Sequence, residues 1–245
     1  IHPFYTASVR EFEAAGRPVV GSAPVGVDGT MAWLDAIAAA AGVPARLADE
    51  AKNRQLAAIR GALAGSPVKG RITVSGYEGS ELLVARLLIE SGAEVPYVGT
   101  ACPRTPWSEA DRNWLEARGV EVVYRASLER DVAAVMAIRP DLAIGTTPVV
   151  QKAKEMAIPA LYFTNLVSAR PLFGAAGAGS LAHVVNGAIG NAARFARMEA
   201  FFDGVGEGDT AGVWSGEPQR RPAFREQMRR RRESASKAKK AEEMI

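Results

Sequence analysis

Two hydroxyls stand at the end of an apolar run in Ala143-Ile144-Gly145-Thr146-Thr147-Pro148, just before a helical pattern. The backbone N–H groups at a helix N-terminus carry partial positive charge and favour a carboxylate or phosphate. Thr147 is the expected N-cap with Pro148 at the first helical position; it either caps alone or caps and meets a ligand. A second apolar run ends at Thr164-Asn165 and leads through Arg170-Pro171-Leu172-Phe173 into the small residues of Gly174 to Gly179. Small residues such as Gly174 and Gly177 let a large flat ligand approach the backbone. Leu172 and Phe173 can pack on its face, and Leu166 and Val167 can keep the space dry. The bland reading of the same stretch is a glycine-rich loop that opens a helix. The candidate substrate-binding set is therefore Thr146, Thr147, Thr164, Asn165, Leu172, Phe173, Gly174 and Gly177.

Other chemistry is excluded or weak. Gly76-x-x-Gly79 lacks both the G-x-G-x-x-G spacing and the Lys-Ser/Thr of a phosphate-binding loop, so tight-turn chemistry explains it and no ATP or NAD motif is visible. Cys102 is the one cysteine, at an expected strand end beside Pro103. With no His or Lys nearby to activate it, its default is an inert thiol. The histidines, His2 and His183, are far apart and no CxxC or HxxxH spacing occurs. No four-ligand metal or iron–sulfur site can be built from this segment's own Cys and His. His183, one turn into the last expected helix, reads as a packing or surface residue.

The elements that must position these groups follow from periodicity and punctuation. Pro18-Val19-Val20 reads as a short strand, then helices run from Met31 to Ala41 (capped by Asp28 or Thr30) and from Pro44 to Leu63. A repeated strand–helix pattern comes next. Strands are expected at 71–74, 94–98, 120–124, 141–144 and 160–163, and helices at 81–91, 108–118, 128–138 and 149–156. A last long helix is expected from Leu181 to Phe202. Ser108 and Asp111 have capping-box spacing. Strands joined by single helices require right-handed crossovers and a parallel sheet covered on both faces, so the fold class is α/β, a Rossmann-like doubly wound sheet. Such sheets bind ligands at the carboxyl ends of their strands. The expected division is a helical segment of a preceding Rossmann-like domain at 1–65, a Rossmann-like domain with a long terminal helix at 66–206, and a basic tail at 207–245.

Composition agrees with a globular chain: 245 residues, 48% hydrophobic and 23% charged. No run of eighteen apolar residues suggests a membrane span. The N-terminal IHPFYTASVREF has neither an initiator Met nor a signal-peptide layout, so the chain is expected to be a fragment of something longer. A single cysteine suits a reducing cytoplasm. The net charge of +3 is uneven, because ten Lys/Arg against five Glu lie from Glu217 onward, leaving −2 for the rest. No aromatic residue interleaves with the basic ones from Gln227 on, so a solvated tail is expected rather than a nucleic-acid surface.

Three segments carry a resemblance: HPFYTASVREFEAAGRPVVGSAPVG at 2–26, GTACPRTPWSEADRNWLEARGVEVVYRASLE at 99–129, and PDLAIGTTPVVQKAKEMAIPALYFTNLVSARPLFGAAGAGSLA at 140–182. Through them the chain resembles the nitrogenase component 1-like superfamily, and within it the Y subunits of chlorophyllide a reductase. The resemblance reaches to about Gly206 and implies the C-terminal half of a subunit about twice as long. It implies an oxidoreductase that takes electrons from a nitrogenase iron-protein-like subunit using ATP and Mg. A [4Fe-4S] cluster shared with a Z subunit, its ligands outside this chain, would pass them to the C7=C8 bond of chlorophyllide a. The implied assembly is a heterodimer or heterotetramer in the cytoplasm, compatible with the periphery of photosynthetic membranes.

Aligned by the resemblance, Thr164 falls where nitrogenase α subunits carry a cofactor-ligating histidine. A Thr cannot replace that ligand, which favours a pigment site. No residue is identified as the proton donor. Alternatives are a protochlorophyllide reductase or another superfamily member such as a cofactor-assembly scaffold, and a non-enzymatic Rossmann-type ligand-binding module.

Overall fold

The computed structural model describes residues 6–21, 23–195, 226 and 229–230. Its centre is a five-stranded parallel sheet: β1 (Arg71–Gly76), β2 (Glu94–Thr100), β3 (Glu121–Tyr124), β4 (Leu142–Gly145) and β5 (Ala160–Tyr162), in the order β3-β2-β1-β4-β5. The order reverses between β1 and β4, so the sheet is doubly wound, as the strand–helix alternation predicts. Ahead of it lie α1 (Thr6–Ala14), α2 (Gly26–Ala41) and α3 (Ala45–Gly65). Between and after the strands come α4 (Glu81–Glu90), α5 (Glu109–Glu116), α6 (Leu128–Ile138), α7 (Thr147–Glu155), α8 (Phe163–Ser168) and α9 (Gly174–Gly190).

Strand periodicity sorts the side chains between two cores. Ile72, Val74, Leu142 and Ile144 enter the larger one, with Leu82, Val84, Leu87 and Leu88 of α4, Leu115 of α5 and Leu181 and Val185 of α9. Ile59 and Leu63 bring α3 into the same core. Ala143 faces the other way, into a smaller core with Val135 of α6 and Val149 and Ala153 of α7. Thr73 and Ser75 are buried in β1, and neither hydroxyl has a hydrogen-bond partner among the described residues.

Several boundaries differ from the sequence reading. Pro18–Val20 forms no strand, because no strand among the described residues pairs with it. α2 starts at Gly26, whose φ of +68° needs glycine and whose close neighbour is the Glu90 carboxylate. That carboxylate accepts the N–H groups of Val27 and Asp28, doing from α4 what a local N-cap does elsewhere. The capping box lies one turn earlier than expected: Thr105 and Ser108 form it at the 3₁₀ turn Pro106–Ser108. Asp111 is drawn away from capping by the buried guanidinium of Arg86. Thr146, not Thr147, occupies the N-cap position of α7.

The expected fifth strand stops at Tyr162, because the spacing of Phe163 and Leu166 turns both into the core as α8. Thr164 and Asn165 are therefore exposed helical residues rather than a strand-end loop. The expected glycine loop is the first turns of α9. Its small residues let the helix lie against the Leu172 backbone and close to Ala62 of α3. The far end of the expected long helix, to Phe202, lies outside the described residues. So does the basic tail, apart from Glu226, Arg229 and Arg230, which are helical and exposed.

Candidate functional site

A cavity of about 690 Å³ opens at the carboxyl ends of β1, β2 and β3, within the range of about 300–1,000 Å³ usual for small-molecule sites. Its walls are largely apolar. Trp33 comes from α2, Leu82 and Leu83 from α4, Trp107 from the 3₁₀ turn, and Leu172 and Phe173 from the link between α8 and α9. Phe173 is 56% exposed, a large apolar face left open to a ligand or to further protein. The position agrees with the strand-end rule, but the cavity sits on the β1–β2–β3 side rather than over the β1/β4 reversal.

The floor is built from loop 77–80 and the end of β2. Glu81, fully buried, turns its carboxylate back to accept the N–H groups of Glu78 (2.7 Å) and Gly79 (2.8 Å). It also accepts the Thr100 hydroxyl at 2.9 Å. Burial pushes the Glu81 carboxyl above the usual carboxylate range, and these hydrogen bonds act against the rise. A Cβ at Gly76 would collide with this carboxylate, so a larger residue there would displace Glu81 from its hydrogen bonds. Thr100 also accepts the Cys102 N–H, and the Cys102 thiol points to the Tyr77 carbonyl at 3.5 Å. Burial raises the Cys102 pKa, which removes thiolate at neutral pH and fits the inert thiol expected from the sequence.

The polar wall comes from α5. Asp111 and Arg86 form an ion pair with side chains only 9% and 6% exposed. Arg86 lies 4.9 Å from the centre of the Trp114 ring, and Arg118 stacks at 3.5 Å. The Trp114 indole N–H donates to Asp28 at 2.8 Å, tying α5 to the start of α2. On β3, an edge strand, Tyr124 donates to the Ser108 hydroxyl at 2.8 Å.

Of the residues singled out from the sequence, Leu172 and Phe173 line this cavity, as does Cys102. Gly177 stands behind the wall, packed on the Leu172 backbone, and Gly174 has φ +62° and donates its N–H to the Pro24 carbonyl. Thr146, Thr147, Thr164 and Asn165 lie at the neighbouring ends of β4 and β5 and do not line it. Tyr77 connects the two regions, since its hydroxyl lies 3.4 Å from the Thr164 hydroxyl. The Thr146 hydroxyl is buried without a partner among the described residues. Leu166 belongs to the main core and Val167 packs against it. His183 is exposed on α9.

Sequence reading missed Trp33, Trp107, Tyr124 and Asp111. A tryptophan directly after a strand-end loop was the available signal for Trp107. Asp111 was hidden by its capping-box spacing.

Among the described residues no three His, Cys, Asp or Glu side chains converge as metal ligands, and the lone buried thiol does not fit an iron–sulfur cluster. No helix among them is long and apolar enough to cross a membrane.

Over its whole length the chain is 69% identical to two proteins named chlorophyllide reductase 52.5 kDa chain, from Cereibacter sphaeroides and Rhodobacter capsulatus. It spans 49% of each, about half the length of these curated relatives. A solved structure titled "Nitrogenase Cp1 at pH 6.5" matches with a TM-score of 0.50 at 21% identity, covering 69% of this chain and 39% of that one, which supports the fold. The family model for nitrogenase component 1 type oxidoreductases matches residues 1–189, and the chain belongs to that family.

Proposed function

We propose that this chain is part of the catalytic component of a chlorophyllide a reductase and supplies one wall of its pigment site. The observation that carries the reading is identity of 69% along the entire chain to chlorophyllide reductase chains. The cavity supports it independently, since aromatic and aliphatic walls with few polar groups suit a flat, largely apolar macrocycle. The reaction adds two electrons and two protons across the C7=C8 bond. Within it, the described residues bind and orient: Trp33, Trp107, Leu172 and Phe173 cover the ring faces and exclude water. Thr146, Thr147, Thr164 and Asn165, at the neighbouring ends of β4 and β5, would meet the part of the pigment that extends past the cavity, with Gly174 and Gly177 holding the wall in place.

The redox chemistry belongs to other parts of the assembly. A [4Fe-4S] cluster held with a Z subunit would supply low-potential electrons. The described residues offer no ligand set for it. A nitrogenase iron-protein-like subunit would hydrolyse ATP, and the proposed setting is cytoplasmic, beside photosynthetic membranes.

Anaerobic assay of the full-length protein with its Z subunit and the ATPase subunit tests the reading. Chlorophyllide a should be converted to the C7=C8-reduced product and protochlorophyllide left unchanged. Conversion of protochlorophyllide alone would overturn it. Replacing Trp33 and Phe173 by alanine should raise KM for the pigment while sparing ATP hydrolysis by the partner.

A further inference from the structure

Resting on the pigment-site reading, we propose that Asp111 is a specificity-determining residue that recognises the central metal of a magnesium tetrapyrrole as an axial oxygen ligand. Among the described residues lining the cavity, Asp111 supplies the one carboxylate. Its Oδ1 is held by Arg86 Nη1. Its Oδ2 takes no hydrogen bond among the described residues. With Oδ1 held by Arg86, Oδ2 is the oxygen left for a ligand in the cavity that Asp111 lines.

The rest of the wall leaves this oxygen little competition. Thr100 donates its hydroxyl to Glu81, Tyr124 donates to Ser108, and Ser108 donates to the Thr105 carbonyl. Cys102 is a soft thiol with a raised pKa, unsuited to a hard cation. Ser80 offers only a neutral hydroxyl. Magnesium prefers hard, anionic oxygen donors. The carboxylate is also rigid, because Arg86 is buried and packed over Trp114, so little freedom is lost when Oδ2 meets a ligand.

Filling the cavity with a flat ring strips water from Oδ2. A central metal replaces that water along the axial direction, whereas the inner N–H groups of a metal-free ring lie in its plane and cannot. An unpartnered buried charged acceptor carries a desolvation penalty that corresponds to a loss of binding of about tenfold or more.

The test is absorbance titration of the full-length protein with its Z subunit, under anaerobic conditions and without ATP. The probes are the magnesium pigment, its zinc derivative and the metal-free pigment. Wild-type protein should bind the metallated pigments at least about tenfold more tightly than the metal-free one. The bound zinc pigment should show the resonance Raman signature of a five-coordinate metal. Asp111→Asn should reduce the discrimination, and a paired Arg86→Met/Asp111→Leu variant, which leaves no buried charge unpaired, should abolish it. Ser80→Ala should retain it.

Equal binding of all three pigments by the wild type, a four-coordinate zinc spectrum, or discrimination that survives the paired variant would each overturn the assignment while leaving the pigment site standing. Failure of every tetrapyrrole to bind would remove the pigment site itself, and the assignment with it.

Discussion

Two glycines on the same helix should respond to alanine in opposite directions. Gly187 is an exposed position in α9 where a Cβ meets nothing within 4 Å. Alanine there gains about 0.5–1 kcal/mol from helix propensity and a less flexible unfolded chain. Gly177 is buried in the same helix, but a Cβ there would lie 2.5 Å from the Leu172 carbonyl oxygen and 2.9 Å from its Cα. Both obstacles are backbone atoms, so no rotamer change relieves them. Overpacking of this kind costs about 1–3 kcal/mol and more when backbone must move, which exceeds the propensity gain.

Gly177→Ala should therefore lower stability by about 1–2 kcal/mol net, against a rise for Gly187→Ala. Urea unfolding of the full-length protein, followed by circular dichroism, measures both. Because Leu172 and Phe173 wall the cavity, Gly177→Ala should also weaken pigment binding, while Gly187→Ala should not. A Gly177→Ala protein as stable as wild type would refute the packing argument.

Three further outcomes are expected. Thr100→Val removes the donor to Glu81 and the acceptor of the Cys102 N–H, and should cost about 1–3 kcal/mol in the same unfolding assay; a neutral result would mean loop 77–80 is not held through Glu81. Cys102 should react with iodoacetamide at pH 7 far more slowly than a free thiol, because burial raises its pKa; alkylation at the free-thiol rate would contradict this. Glu81, Glu90 and Asp131 all have carboxyl pKa values raised by burial, so the folded state binds more protons than the unfolded state above the ordinary values of 4.5, 4.5 and 3.8. Their contribution to stability is present below those values and is lost as pH rises through the raised ones. Denaturant midpoints at pH 5 and 7.5 should show it, with Glu90→Gln shrinking the difference; an unchanged difference would exclude Glu90 as a source.

The parallel sheet was legible because the signals were local and redundant. Ile72 and Val74, or Leu142 and Ile144, alternate cleanly, and glycines such as Gly92 and Gly119 punctuate the helices. The segment after β5 was not legible for the opposite reason. Phe163 reads as the end of a strand until Leu166 needs the same core, and Gly174 to Gly179 reads as a loop until the Leu172 backbone and Ala62 lie against it. Both are tertiary demands that override local propensity. Half of the cavity was hidden similarly. Leu172 and Phe173 stand beside an obvious loop, whereas Trp33 reaches the site only because Glu90 and Asp28 fix where α2 begins and how it leans on α5. Asp111 looked like a helix cap, and only a guanidinium twenty-five residues earlier turns it to the cavity wall.

The tryptophans in that wall have an optical consequence. Trp33 and Trp107 are two of the chain's four tryptophans, and both face the cavity. Indole emission overlaps the near-ultraviolet absorption of a conjugated macrocycle, so a ring seated between them would drain their excited states by energy transfer. Occupancy of the cavity would thus register as lost ultraviolet fluorescence, a signal native to the protein and independent of turnover.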